Sequence, residues 1–188
     1  MKSLINDIMN YVPVGEKEVQ EKEMILDFIG KNPDCLTREN KIAHLTVSSW
    51  VVNPQRTKVI MAYHKIYDSW AWLGGHADGC SDLPEVALKE AREEASLKDV
   101  RLVSRDILSL EVLTVDGHVK KGNWVPCHLH LNLTYLLEAE EEEHLAVNEE
   151  ENSGVSWFTF EDALKASKEP WFVEHIYSKL IAKMEERQ

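Results

Sequence analysis

The stretch from Leu83 to about Ala95, LPEVALKEAREEA, restricts the fold more than any other part of this chain. Leu83, Val86, Ala87 and Ala91 recur with helical spacing, while Glu90, Glu93 and Glu94 stand at i, i+3 and i+4 on another face. Such a helix must bury one side against an apolar surface, and its flanks supply one. Upstream, His44 to Val52, Lys58 to His64 and the Trp-rich Ser69 to Leu73 read as strands; downstream, Leu108 to Val115, Pro126 to Leu137 and Val155 to Phe160 do the same. A helix inserted among strands predicts an α/β fold, a mixed central sheet covered by helices on both faces.

Local signals divide the rest. Asp82 and Glu85 have capping-box spacing and Pro84 falls in the first turn, so the helix starts near Leu83. Before it, Gly74-Gly75-His76-Ala77-Asp78-Gly79 reads as a glycine-rich loop. Asn53 to Arg56, Asp116-Gly117 and Lys120 to Asn123 read as turns, and the acidic stretch from Glu138 to Asn152 as a solvated loop. Glu161 to Ala166 and Trp171 to Glu186 read as closing helices. Residues 1 to 31 show two helical patterns broken at Pro13 to Gly15, and Asn32 to Asn40 reads as a connecting loop. Residues 1–39 are therefore expected to form a helical extension packed on a domain of residues 40–188. With 188 residues, 44% of them hydrophobic, the chain can fill one sizeable core.

Charge narrows the partners. A formal net charge of -12 repels nucleic-acid duplexes and anionic membranes. A small phosphorylated ligand remains compatible, because bound cations invert the local field where carboxylates are dense. Cys35, Cys80 and Cys127 lack CxxC spacing and read as reduced thiols. The sequence contains no apolar run approaching the ~20 residues of a membrane span, and its first residues hold no apolar run of signal-peptide length, so a cytoplasmic location is expected.

The chemistry concentrates between Gly74 and Leu97. Like charges at i, i+3 and i+4 cost roughly 0.2–0.5 kcal/mol per pair, so Glu90, Glu93 and Glu94 gain nothing from sharing a face unless a cation lies between them. Hard oxygen donors suit Mg²⁺ or Mn²⁺. Alone, E-x-x-E-E also fits a solvated helix face; the upstream glycines favour the metal reading, since they allow close backbone approach and a carbonyl to join the metal shell.

This segment resembles the Nudix box, in which Gly is followed after five residues by Glu, and after seven more by Arg-Glu-U-x-Glu-Glu-x-Gly-U, with U a bulky aliphatic residue. Gly75 matches the first glycine, Glu90, Glu93 and Glu94 the box glutamates, and Leu97 the end. The Trp-rich strand, the HLHLNL strand and Val155-Ser156-Trp157-Phe158 also fit the family's layout, so the resemblance covers roughly residues 40 to 165. It implies a Nudix-like α/β/α sandwich and a hydrolase that attacks a diphosphate linkage in a nucleotide or similar small molecule. Glu90, Glu93 and Glu94 with the Gly75 carbonyl would hold the metals, and a further acid from outside the box is sought among Glu149, Glu150 and Glu151. Four positions depart from the pattern: Ser81 for Glu, Lys89 for Arg, the small Ala91 for U, and Ser96 for Gly. Ser81 and Lys89 together imply that an ion pair between loop and helix is missing, with Asp82 or Glu85 as substitute carboxylates.

Other residues admit two readings. His76 and Asp78 face either the cleft or the loop itself; Lys120 and Lys121 could reach substrate phosphates or sit solvated at a hairpin tip. His128, His130 and Asn132 alternate onto one strand face, where a structural role outweighs a transition-metal site, and they are left out of the metal set. Trp50, Trp70, Trp72 and Trp124 fit core packing better than base stacking. The alternatives to hydrolysis are a Nudix-like nucleotide-binding module without turnover, favoured by Ser81 and Lys89, and an isopentenyl-diphosphate-isomerase-like enzyme using Cys80. The N-terminal helices offer apolar surface on which a homodimer could form.

Overall fold

The computed structural model describes residues 1–66, 68–120, 122–148 and 152–186. Two helices, α1 (Lys2–Asn10) and α2 (Gly15–Lys31), precede β1 (Ala43–Val52), β2 (Lys58–His64), β3 (Ser69–Ala71) and β4 (Leu73–His76). The helix α3 (Leu83–Ala95) follows, then β5 (Arg101–Leu102), β6 (Ser109–Val115), β7 (His118–Lys120), β8 (Asn123–Val125), β9 (His128–Glu138) and β10 (Asn152–Thr159). The chain closes with α4 (Phe160–Ala166), α5 (Pro170–Phe172), a π-helical turn (Val173–Tyr177) and α6 (Ser178–Glu185).

Among the described residues eight strands make one mixed sheet, and β7 and β8 pair as a separate hairpin. Its centre is the parallel pair β1 and β9, in register from Ala43 opposite Leu129 to Val52 opposite Glu138. The free edge of β1 is shared, β4 pairing antiparallel with Thr46 to Ser49 and β2 joining at Val52. Along β9, β6 covers the first half and β5 the end. Every residue of β1 is buried, as expected of a central strand covered on both faces.

Alternation along β1 assigns each face. Leu45, Val47 and Val51 join Leu131, Leu133 and Leu137 of β9 under Leu83, Ala87 and Ala91 of α3, and Leu4, Ile8, Ile25 and Ile29 of α1 and α2 complete this core. On the opposite face Trp50, Val52 and Leu136 pack under Ile176, Tyr177 and Leu180 near the C-terminal end. The remainder of that face is polar: Thr46 and Ser48 both donate to Asn132 Oδ1, whose Nδ2 donates to Glu111.

The extension is docked by more than apolar contact. Glu18 of α2 is buried, and it accepts hydrogen bonds from Tyr11 Oη at 2.7 Å, the Val14 N–H at 2.6 Å and Lys179 Nζ at 2.5 Å. Lys179 also reaches Glu111 at 2.9 Å. Burial pushes the Glu18 carboxyl up, but Lys179, Tyr11 and Val14 together outweigh it and hold the group below the usual carboxylate range.

Three local expectations need correction. Ser69 to Leu73 is two strands, β3 and the start of β4, pairing with β2 and β1 respectively. Gly74, Gly75 and His76 are not loop but strand, because β1 offers them a hydrogen-bonding edge. The Asp82 side chain makes no cap hydrogen bond, since Arg105 draws both Asp82 and Glu85 into ion pairs.

Candidate functional site

Glu90, Glu93 and Glu94 of α3 are placed by its contact with β4. Glu94 is buried, and its Oε2 accepts the Gly74 N–H at 2.8 Å. Glu90 packs over Gly75 so closely that a Cβ there would lie 2.5 Å from its Cδ and 2.9 Å from Oε1. Glu90 keeps this position only while residue 75 lacks a Cβ, since its carboxylate would otherwise have to shift by about an ångström to reach ordinary contact. Glu93 points farther outward and is 53% exposed. Thus two of the three glutamates are held against the Gly74-Gly75 strand and the third flanks them.

Lys89 sits across this patch, its Nζ 3.2 Å from Glu93 and 3.6 Å from Glu90. The hydrogen bond to Glu93 and the two nearby carboxylates raise its pKa. The missing contact with position 81 is thus replaced by pairing within the helix. Neither substitute carboxylate proposed for that contact is available, since Asp82 and Glu85 are both engaged by Arg105. The departure at Ser96 has a conformational consequence: it caps α3 in the left-handed region, at φ 57°, where glycine is the favoured residue.

His76 lies next to Gly75 but on the other side of β4, as strand alternation demands. Its register partner is Thr46, and its ring lies 5.1 Å from His44 and 5.0 Å from His130 by centroid. Burial holds its imidazole down at about 3, with the charge of Arg38 adding to the effect. Asp78 is taken by Arg38, at 2.8 and 2.5 Å, which keeps its carboxyl below the usual range. Lys120, in β7, is near enough for its charge to act on His76. Lys121, Glu149, Glu150 and Glu151 lie outside the described residues.

His44 was not singled out from the sequence, and His128 and His130 were set aside; the structure gathers all three around His76. A usable signal was present, since His44, Thr46 and Ser48 put three successive polar residues on one face of a strand whose other face is apolar except for Ser49. A cavity of about 460 Å³ lined by Val115, His118, Glu169, Trp171 and Phe172 opens beside Val115, the register partner of His128. Burial raises the carboxyl pKa of Glu169 there. Of the tryptophans, Trp50 is fully buried and Trp70 and Trp72 pack on the second core, whereas Trp124 is 68% exposed. Cys80 and Cys127 are exposed thiols and Cys35 a buried one. No helix among the described residues is long and apolar enough to cross a membrane.

Known proteins agree with this layout. The family model for the NUDIX domain matches residues 43–180. A NUDIX-family hydrolase from Clostridium perfringens superposes with a TM-score of 0.51 at 21% identity, over 74% of this chain and 97% of that one. The dihydroneopterin triphosphate pyrophosphohydrolase of E. coli gives 0.54 at 13% identity, over 74% and 95%. An Ap4A hydrolase of C. elegans gives 0.53 at 15% identity, over 76% and 96%. A search of curated protein sequences finds no match.

Proposed function

This chain belongs to the Nudix family and is a Nudix-type hydrolase, and from that premise we propose that it cleaves a diphosphate linkage in a nucleotide or related small molecule with Mg²⁺ or Mn²⁺. The observation that carries the reading is the Gly75–Glu90 contact, a cradle that any side chain at 75 would fill. It brings a strand backbone and two helix carboxylates together, a hard-oxygen donor set suited to those cations. Glu90, Glu93 and Glu94 with the Gly75 carbonyl would hold the metal, which when bound polarises phosphate oxygens and activates water. Lys89 then acts as the internal counter-charge of the metal-free patch and must turn away from Glu90 and Glu93 on loading.

The chain's own residues supply the remainder. Glu94, fixed by the Gly74 N–H, orients the strand against the helix. Lys120 would neutralise substrate phosphate. The cavity bounded by Trp171 and Phe172 is suited to a planar organic moiety. Met9, Val12, Val14, Val19 and Met24, exposed on and between α1 and α2, would pair two subunits.

The test is turnover of a panel of nucleoside triphosphates, nucleotide sugars, dinucleoside polyphosphates and prenyl diphosphates with Mg²⁺, with Mn²⁺ and with EDTA, for wild type and Glu93→Gln. Metal-dependent release of phosphorylated products, lost in the variant, is expected. Nucleotide binding without turnover in either protein would instead identify a binding module.

A further inference from the structure

The histidines on the far side of β4 come from four places on three strands: His44 on β1, His76 on β4, and His128 and His130 on β9. Ligating nitrogens of His44, His76 and His130 all lie within 4.8 Å of one another, the one such set of three among His, Cys, Asp and Glu of the described residues. His128 Nε2 lies 3.1 Å from His130 Nε2. The parallel register opposes His44 to His130, and the antiparallel one brings His76 opposite Thr46, so backbone pairing itself assembles the group.

The proton positions follow from the partners. A backbone carbonyl can only accept, so His44 Nδ1, 3.1 Å from the Asn40 carbonyl, carries the hydrogen. The same holds for His128 Nδ1, 2.9 Å from the Pro126 carbonyl. In the neutral ring of His44 the lone pair is therefore on Nε2. His44 Nε2 is buried, on a residue only 4% exposed, and has no hydrogen-bond partner among the described residues. An orphaned acceptor of this kind costs roughly 1–3 kcal/mol. The arrangement of Nδ1–H on a carbonyl with Nε2 turned inward is how metal-bound histidines are oriented.

We propose that His44, His76 and His130, with His128 at the fourth position, form a binding site for a zinc-type transition-metal ion, distinct from the carboxylate site of α3. A tetrahedral ion with Zn–N bonds of ~2.0–2.1 Å places nitrogens roughly 3.3 Å apart. The His128–His130 pair already has nearly that spacing, and the three-histidine set must close by at most about 1.5 Å, within reach of small side-chain rotations. Imidazole nitrogens select zinc, copper, nickel or cobalt over magnesium, the reverse of the carboxylates across the strand. The charge of Arg38, which would repel an ion, is matched by its bidentate pairing with Asp78.

The experiment uses the untagged full chain after removal of bound metal with a chelator. Titration with Co²⁺, read by visible absorbance, and with Zn²⁺, read by elemental analysis after gel filtration, is done on wild type, Glu93→Gln, His130→Asn and the triple variant His44→Gln/His76→Gln/His130→Gln. One tightly held zinc per chain is expected in wild type and in Glu93→Gln, with tetrahedral cobalt bands, and at least tenfold weaker binding in His130→Asn. Far-UV circular dichroism checks each fold. Zinc retained at wild-type affinity by a folded triple variant overturns the proposal. So does a wild type whose histidine Nε2 resonances do not move on adding one equivalent of Zn²⁺, a readout that needs no variant. Because Glu93→Gln separates the two sites, loss of the hydrolase reading leaves this result interpretable.

Discussion

Gly74 and Gly75 are adjacent on one strand, yet Gly→Ala should do opposite things at the two. A Cβ at Gly74 would meet the backbone of β1, lying 2.9 Å from Ser48 Cα and closer still to the Val47 carbonyl oxygen. Backbone of a central strand cannot step aside, and overpacking of this kind costs about 1–3 kcal/mol. For a domain of this size that lowers Tm by about 2–12 °C. A Cβ at Gly75 would meet only the end of the Glu90 side chain, 2.5 Å from Cδ, which can rotate away. It must move about 1 Å to reach ordinary contact distance. Stability should then change by less than about 1 kcal/mol, but an ångström of displacement at a catalytic group costs on the order of 100-fold in rate. Thermal unfolding followed by circular dichroism, alongside kcat with saturating Mg²⁺ for the substrate the panel identifies, reads both effects. Equal destabilisation by Gly74→Ala and Gly75→Ala, or a Gly75→Ala enzyme with wild-type kcat, would refute the claim that Glu90 is positioned by the absence of that Cβ.

Ser96→Gly should raise stability by about 1 kcal/mol, seen as a higher urea midpoint with unchanged m, because glycine accepts the left-handed cap without strain. Lys89→Gln should lower the Mg²⁺ concentration for half-maximal turnover several-fold by removing the competing ammonium; an unchanged or higher value in a metal titration counts against that competition. Lys179→Met should cost about 3–5 kcal/mol, since buried Glu111 loses its ion pair and buried Glu18 keeps only Lys183, at 3.6 Å, measurable by chemical denaturation. The same network predicts acid lability. Glu18 is depressed in the folded state, so its contribution is complete above the unfolded carboxyl value, roughly 4.3, and is lost as pH falls through the lower folded value. Hydrogen exchange in α2 followed from pH 7 to 3 should show that helix loosening first, and uniform loosening of the whole domain would contradict it.

What the sequence determined by itself was whatever neighbouring residues decide together. The limits of α3, the break between α1 and α2, the span of β2 and the shared face of Glu90, Glu93 and Glu94 are all written in short-range periodicity. The spacing of the glutamates from Gly75, with its departures at Ser81, Lys89, Ala91 and Ser96, was legible for the same reason. Tertiary structure decided what depends on a partner distant in the chain. Gly74 to His76 became a strand because β1 supplied its hydrogen bonds, against the intrinsic preference of glycine. Asp82 lost its cap to Arg105, which a local rule could not foresee. The four histidines meet because the register of β1 with β9 and β4 opposes particular residues, and register is set by which faces the sheet must bury rather than by the residues on any one strand.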